Sequence, residues 1–203
     1  LEENAAPENF MSNVFDLEEA DTFALEEKRF RDAAGLVPGL SYGPRRKQNR
    51  FERTVVPDRF ENTRDTDPAL HANIEWAEKI ASRIPDSKLG ADVVAENMVN
   101  SDAEARKVVQ SVAGAAKKWA ARTGKERAQV LRSVAQAIED HRGELIEVAG
   151  SEAGKAIDQG DVEVSEAIDF ALYYADLAEE LDSLEGAAYV PVRTTLVTPP
   201  WNF

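Results

Sequence analysis

Residues 192–203 read VRTTLVTPPWNF, an apolar and β-branched run that breaks into Pro-Pro-Trp-Asn-Phe. Val192, Thr194, Thr195, Leu196 and Val197 favour a strand. Pro191 and Pro199 frame it and give it a sharp exit, because proline removes a ladder donor. From about residue 68 to Gly186 the chain is helical in period, so this stretch decides the fold. A lone strand cannot pair with itself, and one strand after several helices predicts a sheet built elsewhere. Trp201 and Asn202 fall just beyond the carboxyl end of that strand, the edge of an α/β sheet where ligands bind. The Asn202 amide is a donor of the kind that stabilises an oxyanion. A Trp-anchored turn with Asn202 capping a following helix suits the same residues equally well.

Working back from this exit, a helix is predicted over 161–183 with Val164, Ile168, Ala171, Leu172, Ala175, Ala178 and Leu181 inward. Shorter helical pieces precede it, punctuated by Gly150, Gly154 and Gly160. Before them, Thr123 and Glu126 have capping-box spacing, ahead of a stripe of Ala128, Leu131, Ala135 and Ile138. Ser101 and Glu104 repeat that spacing ahead of Ala105, Val108, Val109, Val112, Ala116 and Trp119. This second stripe reads as core, with Gly124 ending its helix. From residue 68 another helix places Leu70, Ile74, Ala77, Ala81 and Ile84 on one face and stops at Pro85. The first 67 residues are less regular. Residues 1–12 read as the end of a helix, 16–35 as an acidic helical patch, and the Gly/Pro/basic run from Leu36 to Arg53 as a connector.

The 203 residues are 43% hydrophobic and 31% charged, with 38 acids against 24 bases and a net charge of −14. Such an acidic surface argues against a nucleic-acid binder. The one basic run, Arg45, Arg46, Lys47, Arg50 and Arg53, with Tyr42 and Phe51 interleaved, reads more readily as solvated or paired with acids than as a nucleic-acid contact. There is no cysteine, which excludes disulfides, thiolate metal sites and a thiol nucleophile from these residues. His71 and His141 have no second ligand at metal spacing, so no metal site is expected. No apolar run approaches the roughly 20 residues of a membrane span, and no signal peptide is visible; the expectation is a cytoplasmic protein. Gly154-Lys155 lacks the upstream glycine and the following Ser or Thr of a phosphate loop. The pairs Glu18/Glu19, Glu26/Glu27 and Glu179/Glu180 read as solvated helix faces. The chain starts at Leu1 without an initiator methionine and stops after a strand exit, which predicts an internal piece of a longer polypeptide.

TPPWNF after an apolar strand resembles the motif of the aldehyde dehydrogenase superfamily. The upstream text agrees in its Trp119, the ERA of 126–128, the GELI of 143–146, Glu152 with Gly154-Lys155, and EVSEAIDF with Tyr173-Tyr174-Ala175. The last phrase, the Pro-Pro exit and FENTRDTDPALHANIEWA are similar to the branch that oxidises glutamate semialdehyde. LEENAAPENFM, at 1–11, resembles the end of a proline dehydrogenase barrel, an order of domains found in the proline utilization A family. The resemblance implies three segments: 1–12 as the barrel's last helix, 13–59 as connector, and 60–203 as the first part of an NAD-binding domain. The implied parent fold is α/β, with this piece mostly helical and carrying one or two strands near its C-terminus. Asn202 would be the oxyanion-holding asparagine, and Thr198, Pro199, Pro200 and Trp201 would line the NAD site. Glu3 would lie near a proline and FAD site. Arg193 departs from relatives that have glycine there. The implied partners are a small-molecule substrate, further copies of the parent, and a membrane surface for passing electrons to quinone. The implied nucleophile, general base and adenosine-binding lysine fall beyond Phe203, so the piece alone is expected to be inactive. A monofunctional aldehyde dehydrogenase of the same branch, and a non-catalytic acidic helical interaction module, remain as rivals.

Overall fold

The computed structural model describes residues 9–40, 45–192 and 194–198. It divides into two compact units, residues 1–46 and 47–203. In the first unit a short helix α1 (Phe10–Asn13) is capped by the Asn9 side chain, which accepts from Met11 N–H at 2.9 Å. Helix α2 (Ala20–Leu36) carries surface pairs one turn apart, Lys28 with Asp32 and Glu27 with Arg31. Glu26 is not on a solvated face as expected. It is buried, and accepts from Asn13 Nδ2 at 2.7 Å and Arg29 Nη1 at 2.6 Å.

The second unit is helical. Its helices are α3 (His71–Arg83), α4 (Ala91–Asn97), α5 (Asp102–Ala120), α6 (Gly124–Asp140), α7 (Arg142–Ala153) and α8 (Ile157–Glu180). Helices α6 and α8 pack along most of their lengths, and α7 and α3 close the other side of the core. The packing is antiparallel: Gly124 at the start of α6 meets Ala178 near the end of α8. Ala128 and Ala135 on α6, and Ala171 and Ala175 on α8, are buried and let the two helices approach closely. Ile80, Ile146, Val164, Ile168 and Leu172 fill the core, flanked by Val56, Trp76, Ile84, Ile138 and Ile157. The expected inward face of α8 is thus the observed one, with Ala178 and Leu181 half-buried at its end. At full burial each aliphatic side chain contributes roughly 1.5–3 kcal/mol.

Residues 47–67 have no regular structure beyond a turn, yet they lie on this bundle as a strap. Phe60, Thr63 and Thr66 donate their backbone N–H groups to Asp176, Asp169 and Asp161 of α8 at 3.0, 2.7 and 2.6 Å. The strap therefore runs antiparallel to α8. The spacing is physical: seven or eight helical residues rise about 10–12 Å, and three extended residues span about 10 Å. Further back, Gln136 of α6 accepts from Val56 N–H and donates to Thr54 O, both at 3.0 Å.

Four expectations are corrected. No strand occurs among the described residues. Residues 187–192 and 194–198 are neither helix nor strand, and Leu196 is 85% exposed, since the described residues hold no strand to pair with. Helix α5 forms with Ser101 as its cap, but none of its residues is buried and Trp119 is 44% exposed, so its stripe is not core. Helix α3 is rotated: Asn73, Trp76 and Ile80 face in, while Ile74 and Ala81 are exposed. Asn73 is drawn inward by the strap, because its amide bonds Gln48, Asp67 O and Arg50 N–H. Of Gly124, Gly150, Gly154 and Gly160, Gly154 alone, at φ +69°, ends a helix. Gly150 and Gly160 sit inside α7 and α8 against Ile84 and Ile146. Gly124 opens α6 and does not close α5.

A Cβ on Gly124 would lie 2.0 Å from the Ala178 carbonyl oxygen. Gly124→Ala is expected to destabilise the second unit by about 1–3 kcal/mol in urea titrations. Gly114, inside α5, is the control, because a Cβ added there would meet nothing within 4 Å. Gly114→Ala is expected to stabilise, by at most about 1 kcal/mol.

Candidate functional site

The segment that carries the sequence-predicted site leaves the bundle at one corner. Thr123 and Glu126 form the expected reciprocal cap: Glu126 N–H donates to Thr123 Oγ1 at 3.2 Å, and Thr123 N–H to Glu126 Oε2 at 2.8 Å. Asp182, in the 3₁₀ turn after α8, adds a second cap by accepting from Gly124 and Lys125 N–H at 2.6 and 3.0 Å. Its negative charge suits a helix N-terminus. One turn on, Arg127 donates to Ala120 O at 3.1 Å and lies over the ring of Tyr189 at 5.3 Å. Beyond Tyr189, Val190 and Pro191 lie beside a groove of about 500 Å3 formed with Ala113, Ala116, Lys117 and Ala120 of α5. The corner thus joins the end of α5, the start of α6, the end of α8 and the chain running towards Thr198.

Thr198 itself is exposed, in neither helix nor strand. Pro199, Pro200, Trp201, Asn202 and Glu3 lie outside the described residues. No strand-to-helix turn occurs among the described residues. No cluster of three potential metal ligands occurs among them. His71 pairs with Glu75 at 3.1 Å and His141 with Glu144 at 2.7 Å. Lys155 pairs with Glu163, and Gly154 closes α7. No described helix is long and apolar enough to cross a membrane.

The densest chemistry lies where the strap meets α6, α7 and α8. Arg142 is buried and donates to Glu139 Oε2 from Nε and Nη2 at 3.0 and 2.7 Å. Its Nη1 reaches Asp161 Oδ1 at 2.8 Å and Ser165 Oγ at 3.0 Å. Arg50, from the basic run, donates to the other oxygen of Glu139 at 2.9 Å and to Thr66 Oγ1 at 2.8 Å. Thr66 Oγ1 in turn donates to Asp161 at 2.7 Å. Arg53 pairs with Asp140 at 3.1 Å. Two members of the basic run are therefore committed to acids, in line with the ion-pair reading. This is a positioning network: every charge in it is answered within the fold. Sequence reasoning missed it, although Glu139 lies four residues after Ala135 on an otherwise apolar face, which is the signal of a buried pair.

Several carboxylates are held below their ordinary range. For Asp182 the cause is the Gly124 and Lys125 amides. For Glu147 it is the Ser87 hydroxyl and then Arg83. For Glu179 it is Arg132, which also spans to Asp58 O and Asp176. Burial pushes Asp176 up, but the Phe60 amide, Arg132 and Arg59 together outweigh it. Glu179 thus belongs to an ion-pair cluster and not to a free solvated face.

Comparison with known proteins gives these arrangements a context. The sequence model described as "Aldehyde dehydrogenase family" matches residues 77–203. The 1-pyrroline-5-carboxylate dehydrogenase 2 of Bacillus subtilis (strain 168) is 34% identical over 140 residues, covering 64% of this chain and 27% of that protein. Bifunctional protein PutA of Salmonella typhimurium is 31% identical over 112 residues, covering 55% of this chain and 8% of that protein. Aminoaldehyde dehydrogenase 1, peroxisomal, of Pisum sativum is 30% identical over 98 residues, covering 42% and 20%. The chain spans about a quarter or less of the length of these relatives. No solved structure matches it.

Arg142→Met leaves Glu139 with Arg50 alone and Asp161 with Thr66 alone in the interior, and urea unfolding is expected to show a loss of about 3–5 kcal/mol. Arg53→Ala, at an exposed pair, is expected to leave the midpoint almost unchanged. Acid should weaken the fold in a defined window. The unfolded chain takes up protons at ordinary carboxylate pKa values of about 4, and the folded chain only lower down. Stability is therefore complete above that range and is lost as the pH falls through it towards the depressed folded values. Urea midpoints from neutral pH to pH 3 check this, and Asp182→Asn should flatten the slope.

Proposed function

We propose, since the chain belongs to the aldehyde dehydrogenase family, that it forms the amino-terminal helical part of the NAD-binding domain of a dehydrogenase that oxidises L-glutamate γ-semialdehyde to L-glutamate. The observation that carries this reading is the 34% identity to a protein named 1-pyrroline-5-carboxylate dehydrogenase 2, joined to the TPPWNF motif at 198–203. In this reading residues 60–203 begin the domain, whose α/β sheet takes up the segment around Leu196. Thr198, Pro199, Pro200 and Trp201 line the approach to NAD. Asn202 donates its amide N–H to the aldehyde oxygen as negative charge develops there, the role of an oxyanion donor. These residues include no cysteine, so the thiol nucleophile comes from the rest of the polypeptide, and these 203 residues alone are inactive.

Similarity to a protein named bifunctional PutA, together with LEENAAPENFM at 1–11, favours an extension of the same reading. Residues 1–12 close a proline dehydrogenase barrel that uses FAD, Glu3 lies near its substrate, and residues 13–59 connect it to the second enzyme. The complete protein is then a cytoplasmic homo-oligomer that feeds one oxidation into the next and touches a membrane surface to pass electrons to quinone.

The test is NADH formation from L-glutamate γ-semialdehyde by the complete polypeptide that carries this sequence. Asn202→Ala is expected to lower kcat by about 10²–10³. The 203-residue chain is expected to form no NADH. Equal activity with unrelated aldehydes, or an unaffected Asn202→Ala variant, would sink the proposal.

A further inference from the structure

The rotation of α3 leaves an apolar surface that the core does not use. Ile74, Ala77 and Ala81 of α3, with Ile157 and Val162 of α8 and Pro68, line a groove of about 420 Å3. Ile74 and Val162 remain 42% and 50% exposed there. The volume is within the range of about 300–1,000 Å3 typical of small-molecule sites.

The walls are of one sign. Every charged side chain lining the groove is an acid: Asp65, Glu78, Asp158 and Asp161. One of these is already answered, and a second has a cation nearby. Both oxygens of Asp161 accept from Thr66 or Arg142, and Asp65 acts on the Arg50 charge. Neither Glu78 on α3 nor Asp158 on α8 forms an ion pair with a described residue, and Asp158 Oδ1 accepts from Gln159 N–H at 3.0 Å in the first turn of α8. The groove therefore offers an apolar floor with one carboxylate that lacks an ion-pair partner on each helical wall, in a chain of net charge −14. An anionic ligand would be repelled by this field, and a neutral one would leave both carboxylates without a counter-charge.

We infer that the groove between α3 and the start of α8 binds a small organic ammonium ion, its apolar body on Ile74, Ala77, Ala81 and Val162 and its charge between Glu78 and Asp158. The site shares no residue with the segment leading to Asn202, and the inference stands independently of the dehydrogenase reading.

The probe is 2-phenylethylammonium, titrated into the 203-residue chain at neutral pH and followed by backbone amide NMR shifts, with 2-phenylethanol and phenylacetate in parallel. Saturable shifts are expected at Ile74, Ala77, Ala81 and Val162, with the two controls at least about fivefold weaker. The double variant Glu78→Gln/Asp158→Asn is expected to weaken the ammonium about tenfold, as two solvent-facing charge contacts allow, while leaving the alcohol unchanged. Ala81→Phe, at an exposed position, is expected to fill the groove and abolish binding. Phenylacetate binding as tightly as the ammonium, shifts confined to other residues, the absence of saturation, or unchanged binding in either variant would each overturn the assignment.

Discussion

Residues 54–66 lie beside α6 and α8 with no secondary structure of their own, so their amide hydrogens need acceptors from the helices. Asp161, Asp169 and Asp176 supply them, one about every two turns of α8. Placing those carboxylates along the helix costs desolvation unless charge is returned to them. Arg142 returns it at one end and Arg132 at the other. The remaining arrangement depends on this exchange. Asn73 can turn inward only because the strap bonds it, and α3 then presents Trp76 and Ile80 to the core instead of Ile74 and Ala81.

The exchange also fixes what is left open. The core is built from α6, α7, α8, α3 and the strap, and α5 and the chain beyond Gly186 make few contacts with it. Val108, Val109 and Val112 are exposed on α5, as are Val190, Leu196 and Val197 beyond it. Arg127, through Tyr189, and Asp182, through the α6 cap, hold the point from which the last segment departs. In the proposed dehydrogenase this corner sets where the Asn202 segment begins.

The helices were legible because their apolar spacing is regular and their caps are local. The Thr123–Glu126 pair acts as its spacing indicates, and the inward face of α8 is the one its period marks. The face of α3 was not legible, since Asn73 is polar and its partners Gln48 and Arg50 stand more than 20 residues away. Glu139, Arg142 and Asp161 escaped for a similar reason: a charge among apolar positions indicates burial but not its partner. The exposed α5 shows the opposite limit. A clean amphipathic stripe reports a face that favours burial, and says nothing of whether the covering surface is within these residues. The proposed site was legible only as a motif, and of its residues Thr198 alone lies among those described.

In the proposed dehydrogenase the strapped bundle folds on its own, whereas the segment around Leu196 takes its structure from a sheet outside these residues. Amide hydrogen exchange, compared between the 203-residue chain and the complete polypeptide, tests it most directly. The account predicts the same protection for α6, α7 and α8 in both, with residues 189–198 protected only in the complete polypeptide. Fast exchange throughout α6–α8 in the 203-residue chain, or protection of 189–198 already present in it, would contradict the account.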